Sequence, residues 1–555
     1  MPLHIQSGSR HVAIAADAHA TVAQLLERAG RYFGENEVVG RLPDRTNYRR
    51  SYAEIYRRAR QLAQALRVNA GLVPGEAVAT LCWNHAWHLE CYFGIPAAAG
   101  VVHTLNLRLT PEEIAWIMDD ADDKVLIIDD ILLPIWEQVK PLLKKAPRVI
   151  VIPFSGAALP GDAESYEEFI AVDASSYVYP VQDENEAVAM CYTSGTTGRP
   201  KGVVYSHRSM VLHATAACIP DLFSLSRRDR ILLVTPMFHA NAWSVPFSAL
   251  MVGADLILPG PHLGGADLLS LMEENQITFA VGVPTIWTML YQTLEETSRQ
   301  RELNLVKGIR MLVGGAAVAQ ALIANFAKYD MYIVQGWGMT ETSPLGAVPI
   351  LTPRHAELPL DEQYALRSMQ GIAAPFVDMR IADEDGVAQP WDGKAVGELQ
   401  VRGPWITGGY HNTPTDPGKF TADGWLRTGD LATINAEGYM RLVDRSKDLI
   451  KSGGEWISSV HLESLVMAHP AVLEAAVIAI PHPKWDERPL VIAVRRPGMS
   501  VTDAELREFL RPKLARFQLP DDFEWVDAIP KAGTGKIIKA KLREHYRDRQ
   551  SGTTA

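Results

Sequence analysis

The chain has 555 residues, more than one hydrophobic core usually supports, so at least two domains are expected. An apolar content of 47% and a charged content of 21% are typical of a soluble globular enzyme. The formal net charge of −11 argues against a nucleic-acid binder held by bulk charge, so an anionic ligand would need locally placed positive charge.

The cysteines and the N-terminus indicate the compartment. The four cysteines lie in apolar stretches without the spacing of a zinc site, so disulfides are not expected and a cytoplasmic location is predicted. The first residues lack the basic and then apolar regions of a signal peptide, and no run of 18 apolar residues predicts a membrane span.

Strand and helix patterns alternate along the first two thirds of the chain. Helical spacing of apolar residues predicts helices at 20–34, 52–70, 86–99, 206–219 and 266–275. Short apolar runs predict strands at 76–83, 101–109, 125–128, 149–152, 187–191, 231–234, 254–258, 277–282, 311–313 and 332–334. This alternation predicts an α/β fold with parallel sheets. Several strands end in loops of Gly, Ser, Thr and His, which should share one crevice at the carboxyl edge of the sheet.

The pattern changes after about residue 370. Short strands separated by turn signals predict a small β-rich subdomain, and the charged segment 444–454 suits a linker. The remaining residues predict a compact α+β domain, with helices at 458–468 and 502–515 and strands at 473–479 and 490–495. We therefore expect a large N-terminal domain of parallel α/β sheets plus the β-rich subdomain (1–445), followed by a small mobile α+β C-terminal domain (446–555).

The segment from Tyr192 to Gly202 combines hydroxyls, glycines and a lysine directly after a buried strand. Glycines allow tight turns that bring several N–H groups to one point, and the hydroxyls and the lysine add donors and charge. The segment therefore predicts a phosphate-binding loop. It is not a Walker A loop, because Arg199-Pro200 separates Gly198 from Lys201.

The order of residues in this loop resembles the phosphate-binding signature of the adenylate-forming superfamily, which contains acyl-CoA synthetases, adenylation domains of peptide synthetases and luciferases. Five further motifs match the superfamily in its own order along the chain. They are 314–317 (GGAA), 335–342 (QGWGMTET), 427–430 (RTGD), 444–448 (DRSKD) and 530–537 (PKAGTGKI).

The resemblance implies an ATP site and a magnesium site. The flat apolar face of Trp337 suits an adenine ring, and the flanking glycines leave room for its close approach. In the superfamily the position of Asp430 binds the ribose diol, that of Thr340 binds phosphate, and that of Glu341 binds Mg²⁺. Mg²⁺ prefers one or two carboxylates together with phosphate oxygens, which fits this assignment. The implied ATP/AMP-binding residues are Thr193, Ser194, Gly195, Thr196, Thr197, Gly198, Lys201, Gly315, Ala316, Ala317, Gln335, Gly336, Trp337, Gly338, Thr340, Asp430 and Arg445.

The resemblance also assigns roles to the C-terminal part. Lys536 matches the catalytic lysine of adenylation, and Lys447 lies where the superfamily has its pivot residue. Rotation about this hinge would remove Lys536 and bring in a face for coenzyme A. That face would comprise Gly453, Gly454, Glu455 and Trp456.

The acid itself is less closely defined by the sequence. An acyl pocket is predicted between the loop of His239 and Trp243 and the strand end at Val283 and Pro284, and it contains no Lys or Arg. We therefore expect an apolar, unbranched acid of short to medium length. Trp456, together with 103–106 (HTLN), resembles the branch of medium-chain fatty acid and methylmercaptopropionate CoA ligases.

The implied function is that of an ATP-dependent acid–CoA ligase that uses ATP, Mg²⁺ and coenzyme A. Its catalytic residues would be Lys536, Glu341, Thr340 and His239. The alternatives are an adenylation enzyme that loads a carrier-protein thiol, a luciferase-like oxidation, and a non-catalytic acyl-nucleotide sensor. The oligomeric state is not readable from the sequence, and a homodimer is the default.

Overall fold

The structure is a computed structural model. It describes residues 19–161, 163–193, 199–414, 416, 418–445, 447–453, 455–531, 537–547 and 549.

The described residues alternate between helices and strands over most of the chain. The α-helices are α1 (Val22–Tyr32), α2 (Tyr52–Val68), α3 (Ala86–Ala97), α4 (Pro111–Ala121), α5 (Leu133–Val139), α6 (Tyr166–Phe169), α7 (His207–Ala217), α8 (Ala240–Trp243), α9 (Val245–Val252), α10 (Gly265–Glu274), α11 (Pro284–Ser298), α12 (Gln320–Ala327), α13 (Pro353–Ala356), α14 (Leu360–Arg367), α15 (Ser459–Met467), α16 (Asp503–Leu510) and α17 (Lys539–His545). The strands are β1 (Glu37–Arg41), β2 (Asn47–Ser51), β3 (Ala77–Leu81), β4 (Val101–Thr104), β5 (Val125–Asp129), β6 (Arg148–Ile152), β7 (Glu164–Ser165), β8 (Ala187–Tyr192), β9 (Gly202–Ser206), β10 (Arg230–Leu233), β11 (Asp255–Leu258), β12 (Phe279–Gly282), β13 (Ile309–Val313), β14 (Met331–Gln335), β15 (Trp337–Gly338), β16 (Leu345–Val348), β17 (Ile372–Ala373), β18 (Asp378–Ala382), β19 (Gly397–Arg402), β20 (Leu426–Ile434), β21 (Met440–Arg445), β22 (Ile450–Ser452), β23 (Glu455–Ile457), β24 (Val472–His482), β25 (Asp486–Arg495) and β26 (Asp522–Trp525).

Two seven-stranded, largely parallel sheets form the body of the molecule. The first has the order β14-β13-β12-β10-β11-β1-β2 and the second has the order β7-β6-β5-β3-β4-β8-β9. Only the edge strands β2 and β9 pair antiparallel to their neighbours. The predicted fold of parallel α/β sheets is confirmed.

The largest apolar core lies between the two sheets and includes α3. Nearly every residue of α3 is buried, because this helix is apolar around its circumference and packs on several neighbours. A separate core covers the opposite face of the first sheet, where α10 and α11 pack. Both faces of the first sheet are therefore covered, as parallel sheets require.

Antiparallel sheets follow the α/β body. Strands β18 to β21 form a four-stranded antiparallel sheet, as the predicted β-rich subdomain requires. A five-stranded sheet near the C-terminus has the order β23-β22-β25-β24, with β26 parallel to β25. Helix α15 packs on β24 of this sheet, so the C-terminal part is α+β as predicted.

The bounds of several predicted elements differ from the structure, and three of them show the reason. The strand predicted at 101–109 ends at Thr104, and α4 follows, capped by Thr110 and Glu113. Pro284 begins the fifteen-residue helix α11 instead of only closing a strand. The linker predicted at 444–454 is partly strand, because β21 continues to Arg445 and β22 begins at Ile450. The positions at which these elements begin and end depend on pairing and packing with distant segments, so local composition did not predict them.

A search for membrane-spanning helices gave no candidate among the described residues, since none of their helices is both long and apolar enough.

Candidate active site

A cavity opens where loops leave the carboxyl edge of the first sheet. It is lined by His239 and Trp243 after β10, by Gly314 and Gly315 after β13, and by residues 336–340 after β14. Together with the solvent at its mouth it encloses about 470 Å³. β13 and β14 are neighbours in the sheet, and only β12 separates β13 from β10, so these three loops share one crevice as expected.

The loop that carries Trp243 has an unusual backbone. All five residues from Ala240 to Ser244 have positive φ angles, between 42° and 59°, although none is glycine. Left-handed backbone costs a non-glycine residue roughly 1–2 kcal/mol, so a run of five needs support from its surroundings. These residues are all buried, and the Ser244 hydroxyl donates to the Ser343 carbonyl at 3.3 Å. The surrounding core thus holds the turn that places Trp243 in the cavity wall.

Trp337 lies in the cavity wall and is fixed from two directions. A Cβ atom on Gly346 would come within 2.3 Å of the Trp337 ring, so only glycine allows the indole to lie there. The indole Nε1 donates to Asp430 Oδ2 at 3.2 Å. The predicted adenine-facing and ribose-binding residues are therefore in direct contact.

Asp430 also forms an ion pair with Arg445, which lies just before the predicted hinge residue Lys447. It lies opposite Arg445 on adjacent strands, and Arg445 Nε is 3.1 Å from Asp430 Oδ1. The Asp430 side chain is 10% exposed. Its two oxygens are thus shared between Trp337 and Arg445, and a ribose diol would join a carboxylate that is already oriented.

Glu341 is held by a tyrosine that the sequence analysis did not identify. The Tyr410 hydroxyl donates to Glu341 Oε1 at 2.8 Å, and among the described residues Oε2 has no hydrogen-bond donor. The Lys201 ammonium lies 4.9 Å from the centre of the Tyr410 ring and 4.0 Å from Asp416 Oδ2. Tyr410 therefore connects the predicted metal carboxylate to the lysine of the predicted phosphate loop.

Two hydrogen bonds join the two ends of the predicted phosphate-binding loop. The backbone N–H of Thr193 donates to the Lys201 carbonyl at 2.9 Å, and the Lys201 N–H donates to Thr193 Oγ1 at 3.1 Å. Thr340, on the facing loop, accepts a hydrogen bond at its carbonyl from Tyr205 of β9 at 2.9 Å. The predicted residues Ser194, Gly195, Thr196, Thr197 and Gly198 lie outside the described residues.

The remaining predicted nucleotide-binding residues differ in exposure: Gln335 is buried, whereas Ala316 and Ala317 are exposed. The Gln335 amide oxygen accepts from the Val318 N–H at 2.8 Å, and its nitrogen donates to the Met369 carbonyl at 3.0 Å. This buried side chain ties the loop after β13 to the chain after α14. Ala316 and Ala317 are exposed in that same loop.

The residues predicted for the acyl pocket are only partly brought together. His239 and Trp243 line the cavity, whereas Val283 and Pro284 do not. Val283 is buried beside Gly315, and Pro284 is the first residue of α11. Trp287 is also remote, because it belongs to the core on the opposite face of the sheet. Trp287 therefore does not bound this cavity.

The described residues of the predicted coenzyme A face do not line the cavity. Trp485 packs on Gly453, where φ is 61° and a Cβ atom would come within 2.7 Å of the ring, so this position requires glycine. Glu455 and Trp456 are exposed, and the Lys451 ammonium is 5.7 Å from the Trp456 ring centre. Lys447 is described, whereas Gly454 and Lys536 lie outside the described residues.

A buried carboxylate bridges the predicted hinge. Asp444 Oδ2 accepts from both the N–H and the hydroxyl of Ser459, each at 2.6 Å. Lys539 donates to the Ser459 hydroxyl at 2.6 Å and pairs with Glu463 at 2.7 Å. Burial raises the pKa of Asp444, and the nearby Lys539 opposes that rise. Rotation of the C-terminal part about the predicted pivot Lys447 would separate Asp444 from Ser459.

His85 belongs to a structural cluster. The fold brings the possible ligand atoms of Cys82, His85 and Asp129 within 4.8 Å of one another. Both His85 nitrogens are engaged, since one accepts from the His88 N–H at 3.1 Å and the other pairs with Asp129 at 2.7 Å. These contacts cap α3, so ordinary packing accounts for the group.

Comparison with known proteins identifies the family. The profile of the AMP-binding enzyme family matches residues 26–411, and that of the AMP-binding enzyme C-terminal domain matches residues 461–536. The chain belongs to the AMP-binding enzyme family.

Relatives resemble the chain over nearly its whole length. A long-chain-fatty-acid–CoA ligase of Thermus thermophilus is 45% identical, over 97% of each chain. A medium-chain-fatty-acid–CoA ligase of Ectopseudomonas oleovorans is 43% identical, over 95% of this chain and 96% of its own. A 3-methylmercaptopropionyl-CoA ligase of Ruegeria pomeroyi is 42% identical, over 96% of this chain and 98% of its own. The branch suggested by the sequence resemblance is confirmed.

A solved structure has a similar fold. The crystal structure of an anthranilate CoA ligase in complex with anthranoyl-AMP has a TM-score of 0.85 at 24% identity, and the match covers 95% of this chain and 98% of that one.

Proposed function

We propose that the protein is an ATP-dependent acid–CoA ligase acting on short- to medium-chain fatty or thioether carboxylic acids. The observation that carries the proposal is a single cavity that joins an apolar wall at Trp243 to the nucleotide side at Trp337. Trp337 in turn contacts Asp430, which binds the ribose in this proposal. The named relatives are CoA ligases, which favours this reading over carrier-protein loading, oxidation or a non-catalytic sensor.

The first half-reaction makes an acyl-adenylate. The substrate carboxylate attacks the α-phosphorus of ATP, a new C–O–P link forms, and the bond to pyrophosphate breaks. Negative charge develops on the phosphoryl oxygens, so donors fixed beforehand lower the barrier. Lys201, the N–H groups of its loop and Lys536 would supply them, while His239 would lie beside the carboxyl group. No protein nucleophile is required, because the substrate carboxylate is the nucleophile.

The residues around Glu341 fit a magnesium ion. Glu341 is 7% exposed and offers a hard oxygen ligand whose orientation is set by the Tyr410 hydroxyl. Mg²⁺, when bound, would neutralise phosphate charge and so favour departure of pyrophosphate. Tyr410 would orient the carboxylate, as residues in contact with metal ligands commonly do.

The second half-reaction transfers the acyl group to coenzyme A. The thiol loses its proton to solvent, its sulfur attacks the acyl carbon and forms the thioester bond, and the acyl C–O bond breaks so that AMP leaves with the oxygen. We place the domain boundary between residues 445 and 446, so that rotation about Lys447 exchanges Lys536 for the face of Gly453, Glu455 and Trp456. Four unpaired cysteines support a cytoplasmic location, and a homodimer remains the default assembly.

The acyl wall is tested by a chain-length series. We expect kcat/KM to rise about fourfold per CH₂, from roughly 0.8 kcal/mol of burial each, until the cavity ends at Trp243. Trp243→Ala should move the optimum to longer acids. The measurement is pyrophosphate release with straight-chain acids from two to sixteen carbons. Trp287→Phe, a change on the other face of the sheet, is the matched control and should leave the optimum in place. An aromatic or charged best substrate, or an unmoved optimum in Trp243→Ala, would contradict this pocket.

The hinge is tested at Lys447. Proline fixes φ near roughly −65°, so Lys447→Pro should hold the C-terminal part in one arrangement. Pyrophosphate release should survive, and thioester formation from supplied acyl-adenylate and coenzyme A should fall. Lys447→Ala is the matched control, because it removes the same positive charge without fixing φ, and it should keep both half-reactions. If Lys447→Pro makes thioester at the wild-type rate, the pivot lies elsewhere.

A further inference from the structure

One histidine in the cavity wall has a nitrogen without a partner. His213 of α7 lines the cavity and is fully buried. Its Nε2 accepts a hydrogen bond from the Leu345 backbone N–H at 3.1 Å. Its Nδ1 has no hydrogen-bond partner among the described residues. Buried polar atoms are nearly always paired, so an unpaired one beside a cavity requires an explanation.

The contacts of His213 show which of its two ring nitrogens carries the hydrogen. Because Nε2 accepts from an N–H group, it carries no hydrogen, and the hydrogen of the neutral ring is on Nδ1. Burial lowers the pKa of His213 to about 3, which keeps the ring neutral at physiological pH. Nδ1 is therefore a hydrogen-bond donor.

The orientation of the ring is fixed. Trp405 stands edge-on to His213, with ring centres 5.9 Å apart, and its Nε1 donates to the Leu345 carbonyl at 2.9 Å. The backbone of Leu345 is thus bound on one side by Trp405 and on the other by His213. Turning the His213 ring to satisfy Nδ1 elsewhere would break the bond to the Leu345 N–H.

Apart from His239 and Thr340, the side chains that line the cavity with His213 are largely apolar. Phe223, Trp243, Leu312 and Leu345 line the same cavity. An all-hydrocarbon chain would leave the donor unpaired, whereas an acceptor on the chain would pair with it. Sites that contain a buried hydrogen-bonding group discriminate strongly against ligands that lack the complementary group.

We propose that His213 Nδ1–H is a specificity-determining donor for a neutral hydrogen-bond acceptor within the acyl chain. This inference rests on the proposed acid–CoA ligase function. The preferred acids carry a carbonyl, hydroxyl or ether oxygen at one position along the chain, and a thioether sulfur, a weaker acceptor, gives a smaller preference.

The test compares octanoate with oxo-octanoates in which the ketone is moved one carbon at a time along the chain. At one position we expect kcat/KM for CoA thioester formation to exceed that of octanoate by about 5- to 50-fold. His213→Gln keeps an acceptor for the Leu345 N–H but removes the donor, so the ratio should fall to about one. His213→Asn, the matched variant, keeps a donor near Nδ1 and should retain a preference. Losses common to both acids cancel in the ratio.

The outcomes separate the two proposals. Ligation of octanoate with no preferred ketone position in the wild type would overturn the donor site alone. A preference that persists unchanged in His213→Gln would also overturn it. Failure to form a CoA thioester from any acid would overturn the proposed function and the donor site with it.

Discussion

Replacing Lys536 with alanine should lower the rate of acyl-adenylate formation by about 10²–10³-fold, the loss expected when one transition-state donor is removed. Conversion of supplied acyl-adenylate to the thioester should continue. The reason is that Lys536 would stabilise charge only while pyrophosphate leaves, and that domain rotation would carry it away before the thiol attacks. Pyrophosphate release and thioester formation, measured separately, give the two rates.

Lys531, five residues before Lys536, is a matched control for this substitution. Lys531 pairs with Glu474 of β24 at 2.8 Å and forms a bridge to Ile537, so its ammonium is engaged within the C-terminal sheet. Such partly exposed ion pairs contribute about 0–1 kcal/mol, and Lys531→Ala should leave both half-reactions close to wild type. Equal losses of both half-reactions in Lys536→Ala would mean that this lysine does not act in adenylation alone.

The sequence was sufficient for most of the fold because periodicity and end signals agreed. Ser51 caps α2 through its hydroxyl, and Ser206 caps α7 in the same way, as the residue types and positions indicate. Glycine-rich strand ends likewise predicted the crevice at the edge of the first sheet. Each of these signals is local, so a single sequence contains it.

The parts that the sequence did not predict depend on distant contacts. Tyr410 lies 69 residues from Glu341, and only the fold shows that its hydroxyl reaches that carboxylate. His213 appeared as an ordinary residue of a predicted helix, and its importance depends on the N–H of Leu345, 132 residues away. The five residues from Ala240 to Ser244 have left-handed backbone but include no glycine, so nothing in their sequence predicted this conformation.

Glu341→Gln should lower the rate of adenylation by about 10²-fold and raise the Mg²⁺ concentration needed for half of the maximal rate. The amide has nearly the same shape and can still accept the hydrogen bond from Tyr410, so the change removes chiefly the charge that would hold the ion. Both quantities come from pyrophosphate release titrated with Mg²⁺ at saturating ATP.

Tyr410→Phe is the matched variant for this carboxylate, because it keeps the charge of Glu341 and removes only the hydrogen bond that orients it at 2.8 Å. Loss of a residue that orients a metal ligand typically costs about 10–100-fold, so we expect a smaller decrease than in Glu341→Gln. The phenyl ring would still lie beneath the Lys201 ammonium, which separates the hydrogen bond from the contact with the phosphate loop. An unchanged Mg²⁺ requirement in Glu341→Gln would remove Glu341 from the metal site. An unchanged rate in Tyr410→Phe would show that the carboxylate is oriented without the tyrosine.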